Sequence, residues 1–182
     1  MTGEEIAKER IAHCKKHRLP YLDLRGLGLT SISKELAELT WLERLSLSEN
    51  KLCSIDLLKA LTRIRKLAFS HNNIKDLSPL QNNTGLKFLF MKYNRVEDIS
   101  VLGGIDTLKK IEAHHNKIKE VEPLTKLPHL VYLDLSDNQL CDAAALKEIT
   151  TLRWLSLKNN PLDKQGILRI KRALHHMVFF AY

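Results

Sequence analysis

The chain has 182 residues, 44% hydrophobic and 27% charged, with a formal net charge of +8. That balance suits a folded chain and argues against disorder, and the length suits one domain or a short repeat array. The positive charge favours acidic partners without separating nucleic acid from acidic protein surfaces, and no run approaches the roughly 20 apolar residues of a membrane span.

In chain order, the opening "MTGEEIAKERIAHCKKH" lacks the apolar centre of a secretion signal. Residues 3–17 instead read as an amphipathic helix with Ile6, Ala7, Ile11 and Cys14 on one face, an N-terminal cap over residues 1–18. "LPYLDLRGLGL" follows from Leu19. From Leu42 the pattern LxxLxLxxNxL then returns every 22 residues, starting at Leu42, Ile64, Leu86, Leu108, Leu130 and Leu152. The copies include "LERLSLSENKL", "LKKIEAHHNKI" and "LRWLSLKNNPL". Each ends a short strand on an asparagine: Asn50, Asn72, Asn94, Asn116, Asn138 and Asn160. The first unit has Leu27 in that slot, as a capping repeat would.

A buried amide needs partners, and stacking brings the same turn of neighbouring coils together to supply them. The second half of each unit is apolar at recurring positions, such as Ile55, Leu58 and Leu61, then Ile99, Leu102 and Ile105, then Val121, Leu124 and Leu127. No coil buries these alone, so the stack shares one core. Toward the end, "DKQGILRIKRAL" spaces Ile167, Ile170 and Leu174 as a true helix. Continuing the 22-residue register predicts an eighth unit at Leu174, with Met177 and Phe179 in apolar slots and Tyr182 in the asparagine slot. His175 and His176 then belong to that strand, whose open edge carries Val178 and Phe180. The organisation expected is a single domain over 1–182: helix 1–18, repeats 19–162, and a C-terminal helix and edge strand over 163–182.

Six consecutive copies in fixed register resemble the leucine-rich repeat family, and the resemblance covers the chain from Leu19 onward. It implies an α/β solenoid: a right-handed superhelix with a concave parallel β-sheet, about seven full repeats, a partial eighth strand and a helical N-terminal cap. The 22-residue period is similar to the subclass typified by protein phosphatase-1 regulatory subunits, whose convex segments are 3₁₀-like. The lead-in "IAKERIAHCKKHRLPYLDLRGLGLTSISKELAELTWL" is similar to bacterial intracellular or effector-type members. The resemblance implies a non-enzymatic protein-binding role, such as phosphatase regulation, a light chain of a motor assembly, or a bacterial protein delivered into a host cell.

Strand alternation makes the second, third, fifth, seventh and eighth positions of each unit line or rim the concave face. The middle of that face is basic, with Arg65, Lys66, Lys87, Lys92, Lys109 and Lys110 opposed there only by Glu112. Among these cations lie Phe88, Phe90 and Tyr93, continued by Tyr132 and Trp154. Aromatic anchors ringed by charge are what a protein-binding hot spot requires. Candidate partner-binding residues are therefore Arg65, Lys66, Lys87, Phe88, Phe90, Lys92, Tyr93, Lys110, Glu112, His114, Tyr132, Asp134 and Trp154, for a protein partner with an acidic or mixed surface. Nucleic acid is the alternative reading of the same residues. It is disfavoured because Asp23, Glu43, Glu49, Asp134 and Asp137 interrupt the positive field.

No Gly-rich phosphate loop, GxSxG or HExxH is present, so neither catalytic residues nor cofactors are expected. His13 and His17, spaced i,i+4, read as a solvated helix face. His114 and His115 are adjacent on a strand, where neighbouring side chains diverge, so they are not expected to chelate a metal. Three scattered cysteines, Cys14, Cys53 and Cys141, suit reduced thiols and a cytoplasmic location, with delivery into a host as the alternative. A monomer is expected, with the eighth strand as the one route to self-association.

Overall fold

A computed structural model describes residues 1–182. The N-terminal helix α1 (Gly3–His17) opens with a reciprocal cap: Thr2 Oγ1 accepts from the Glu5 amide at 3.2 Å, and the Glu5 carboxylate accepts from the Thr2 amide at 2.7 Å. Glu4 and Glu5 lie in its first turn and Lys15, Lys16 and His17 in its last, each matching the helix dipole. Its buried residues Ala7, Ile11 and Cys14 cover the first coil, while Ile6 is half-buried.

Eight three-residue strands follow: β1 (Tyr21–Asp23), β2 (Arg44–Ser46), β3 (Lys66–Ala68), β4 (Phe88–Phe90), β5 (Lys110–Glu112), β6 (Tyr132–Asp134), β7 (Trp154–Ser156) and β8 (Phe179–Ala181). They form one parallel sheet in sequence order. In β1 to β7 the middle residue is buried and its two neighbours face outward, and equivalent positions pair coil to coil. The chain is thus a leucine-rich repeat solenoid with its sheet on one side.

The opposite side carries six short 3₁₀ segments, at Lys34–Glu38, Asp56–Ala60, Ser78–Leu80, Ser100–Gly104, Glu122–Lys126 and Ala144–Glu148. Each buries one leucine completely: Leu36, Leu58, Leu80, Leu102, Leu124 and Leu146. A 3₁₀ segment rises about 2.0 Å per residue against 1.5 Å for an α-helix, so it crosses the back of a coil in fewer residues and keeps the period short. The apolar core runs without a break from Ala7 on α1 to Leu174.

The asparagines stitch the coils as expected. Asn94 is typical: its Nδ2 donates to the carbonyls of Phe69 (3.0 Å) and Met91 (3.1 Å), and its Oδ1 accepts from the Ile74 amide (2.9 Å). Just before each of the six asparagines, the eighth-position residue turns left-handed: Glu49, His71, Tyr93, His115, Asp137 and Asn159 have φ between 54° and 59°. Most side chains avoid that region. In five of these turns it aims the residue's amide at the seventh-position carbonyl of the next coil, as in Tyr93 N–H to His114 O at 3.0 Å.

The last coil departs from the 22-residue register. Residues Lys164–Ala173 form a true α-helix, α2, capped by Asp163 and burying Ile170, with Leu174 buried just after it. β8 then pairs Phe179 with Trp154 and Phe180 with Leu155. The eighth unit therefore begins at Met177 rather than Leu174. Phe180, not Phe179, fills the inward strand slot, and Tyr182 is not in the asparagine slot. His175 and His176 lie in the turn after α2 rather than in the strand. The reason is the smaller rise of an α-helix, which needs extra residues to cover the same distance. Val178 stays highly exposed, whereas Phe180 is half-buried against the core.

Candidate binding surface on the concave sheet

The third-position row of the sheet reads Tyr21, Arg44, Lys66, Phe88, Lys110, Tyr132, Trp154 and Phe179. At its C-terminal end three rings stack in succession. Tyr132 and Trp154 are 4.1 Å apart and within 7° of parallel, and Trp154 and Phe179 are 4.7 Å apart and within 9°. In-register parallel strands hold equivalent side chains at the strand spacing of about 4.8 Å, which suits stacked rings. Burial, with Glu112 and then Asp134 nearby, pushes the Tyr132 phenol up to about 12.

The middle of the face is more neutral than the column of lysines suggests. Lys110 Nζ sits 4.0 Å from the centre of the Tyr132 ring and 2.9 Å from the Glu112 carboxylate. Phe90 lies between two cations, Lys66 at 5.4 Å and Lys110 at 5.5 Å. Phe88 remains exposed on the face. Asp134 accepts from the Ser136 amide and hydroxyl, and Ser136 continues to Ser156. Arg65, Lys87 and Lys109 form a separate row one residue before the strands, stacked through their backbones along the rim.

The left-handed corner builds a second stack from eighth-position residues. Tyr93 lies between His71 (4.3 Å) and His115 (4.1 Å), nearly parallel to both. His115 Nδ1 is 3.4 Å from Asp137, whose other carboxylate oxygen accepts from Asn159 at 2.8 Å. His114 and His115 do not diverge as a strand geometry would require: their Nδ1 atoms are 2.9 Å apart. His115 has left the strand at φ 55°, which swings its ring back toward His114. At that distance one ring donates and the other accepts, so the pair is bonded within itself. Partial burial lowers the His114 pKa, with Lys92 and His115 acting the same way and Asp134 and Glu112 opposing.

Toward the N-terminal coils the face opens into a trough of about 610 Å³, which the candidate list had not singled out. Its floor is small side chains, Ser46 and Ser48 on the second coil and Ala68 and Ser70 on the third. Tyr21, Asp23 and Arg25 bound one end and Phe90 and Lys92 the other, with Arg44 and Lys66 along one wall. Of the thirteen candidates, only Lys66, Phe90, Lys92 and Glu112 line it. The signal was present as two successive units with small residues at both the fifth and seventh positions.

The model for "Leucine Rich repeats (2 copies)" matches residues 62–104 and 106–148. In structure the chain is similar to an internalin (inlF) of Listeria monocytogenes strain 4b F2365, with a TM-score of 0.88 and 25% identity over 97% of this chain and 55% of that one. An internalin C2 (inlC2) of the same strain superposes with a TM-score of 0.82 and 21% identity, covering 97% of this chain and 90% of that one. A leucine-rich repeat protein of Leptospira interrogans gives 0.78 and 22%, covering 88% of this chain and 48% of that one. The chain therefore spans about half the length of the first and third of these. A search of curated protein sequences finds no match. No helix is long and apolar enough to cross a membrane. The repeat pattern, the matching family model over the central coils and the stacked architecture together show that the chain is built of leucine-rich repeats in a solenoid fold.

Proposed function

We propose that the chain is a non-enzymatic recognition module that binds a partner protein on its concave face. The observation that supports this most is the surplus of chemistry there. Phe88 and Phe179 are exposed, and Arg25, Arg44, Lys66 and Lys92 make no ion pair and no side-chain hydrogen bond within the chain. None of these groups is needed to hold the coils together, whose cohesion comes from the core and the asparagines. Eight strands at about 4.8 Å give a sheet roughly 34 Å wide, the scale of an ordinary protein interface. Leucine-rich repeat proteins of the internalin type are generally protein-interaction modules, in line with this reading.

The partner segment carries an acidic or mixed surface, attracted by Lys66, Lys87 and Lys92 and buried against Phe88, Phe90, Tyr132 and Trp154. Three free thiols, of which Cys53 and Cys141 are exposed, support work in a reducing compartment. The test is recovery of partners from the native source with the unaltered chain and with Phe90→Ala plus Trp154→Ala. Central aromatic anchors are typically worth about 2 kcal/mol or more, so a loss of more than about thirtyfold in affinity is expected. Undiminished recovery by a folded variant would remove the concave-face assignment.

A further inference from the structure

We propose that the trough beside Arg44 and Lys66 is a docking pocket for acidic side chains on an extended segment of the partner protein. This rests on the concave face being the binding surface, and it names the chemistry read there.

The pocket has room because Ser46, Ser48, Ala68 and Ser70 leave its floor low, whereas Phe90 closes it on the fourth coil. Its wall cations are held in place without being neutralised. The Arg44 guanidinium lies 5.5 Å from the centre of the Tyr21 ring and Lys66 Nζ lies 5.4 Å from that of Phe90. A cation resting on an aromatic face keeps its hydrogen-bond donors available and loses less freedom when a ligand arrives. Arg44 and Lys66 are register partners on neighbouring strands, but Arg44 leans toward the first coil and Lys66 toward the fourth, so each offers a separate cation to an acidic side chain. Arg25 and Lys92 add further unpaired positive charge at the two ends.

The carboxylates of the trough, Asp23, Glu49 and Glu112, offset only part of the charge of Arg25, Arg44, Lys66 and Lys92. Glu112 is taken by Lys110 at 2.9 Å, and Asp23 accepts from the Arg25 amide at 2.9 Å. Asp23 and Glu49 instead select the ligand. They would repel a continuous phosphate backbone, while isolated acidic side chains set among neutral ones can avoid them.

The experiment titrates the full ¹⁵N-labelled chain with a Ser-Glu alternating peptide, the same peptide with Gln for Glu, and an oligothymidylate of equal charge. The expected result is saturable shifts at the amides of residues 44–48 and 66–70 with the Glu peptide only. Arg44→Glu plus Lys66→Glu, two exposed positions, should weaken that binding about tenfold or more and confer binding of the Ser-Lys peptide, which misfolding cannot produce. Three results would overturn the pocket: no saturable shift with the Glu peptide, shifts confined to other coils, or oligothymidylate binding the same amides as tightly. The same charge-reversed variant is then tested on the partner recovered through the concave face. Recovery lost with Phe90→Ala plus Trp154→Ala but kept with the reversal overturns the pocket and leaves the protein-binding reading standing. Recovery kept with both overturns both.

Discussion

At the scale of single residues, the asparagine ladder and the histidine pair make opposite uses of polar groups. Asn94 is buried, and its amide satisfies the backbone of two successive coils through Phe69 and Ile74 on one and Met91 on the other. Asn94→Ala strands the Ile74 N–H with no water to replace the partner, while the Phe69 and Met91 carbonyls each keep a second amide, from Asn72 and Asn116. A loss of about 1–3 kcal/mol is expected in urea unfolding, the cost of one abandoned buried group. Asn160→Ala should cost less, because Asn160 is only half-buried and water can reach its partners. His114 instead couples the rim to pH. Its pKa is depressed, first by partial burial and then by Lys92 and His115, so folding favours the neutral ring. That contribution is complete above the ordinary histidine value of about 6.5 and is lost as pH falls through the lower folded value. Urea midpoints should therefore decline below about pH 6.5, and His114→Gln should flatten that part of the profile. An unchanged slope in the variant would remove His114 as the source.

At the scale of elements, the close contact between successive 3₁₀ segments sets what the convex side tolerates. A β-carbon on Gly103 would stand 2.7 Å from the Pro123 carbonyl oxygen of the next coil, a backbone group that cannot move aside alone. Gly104, its neighbour, has nothing within 4 Å. Gly103→Ala should destabilise by about 1–3 kcal/mol, as overpacking does, while Gly104→Ala should be near neutral. Thermal melts of the two variants side by side check this, and equal shifts would contradict it. The last coil follows the same spatial rule from the other direction. Substituting α2 for a 3₁₀ segment lengthens the unit and moves Phe180 into the inward slot of β8. It also places Phe179 on the aromatic stack with Trp154.

At the scale of the whole molecule, the concave face is polarised along the stack. Uncommitted cations gather around the trough of the first four coils, and the stacked rings of Tyr132, Trp154 and Phe179 occupy the last three. On the concave face proposed for binding, a partner lying across the coils would meet charge at one end and apolar edges at the other, which would set its direction as well as its affinity. The outer side of β8 faces no further strand of this sheet, and Val178 beside it is 86% exposed. We expect the chain to remain monomeric. Sedimentation across a concentration series checks this: a mass constant near 20.9 kDa supports it. A concentration-dependent rise abolished by Val178→Lys would assign association to that edge instead.

The first seven units of the repeat were legible in the sequence because periodic constraint is local. The inward leucines, the ladder asparagines and the strand positions recur at fixed offsets, and one coil's solution serves the next. From Tyr21 to Ser156 the strands stand where the pattern put them. The concave columns of the first seven units could likewise be read residue by residue, whereas Phe179 joined the third-position stack only through the slip of the last coil. Three things were decided only by tertiary structure. The left-handed turn at His115 brought its ring to His114, because that turn is set by a hydrogen bond to the neighbouring coil. The eighth unit slipped to Met177 because helix type, not residue count, fixes how far the back of a coil reaches. The lysine column did not become a uniform positive surface, because Lys110 folded onto Tyr132 and Glu112, while small side chains two coils away left a cationic trough open. Periodicity determines where side chains start, and the packing between coils determines which of them are left free to bind.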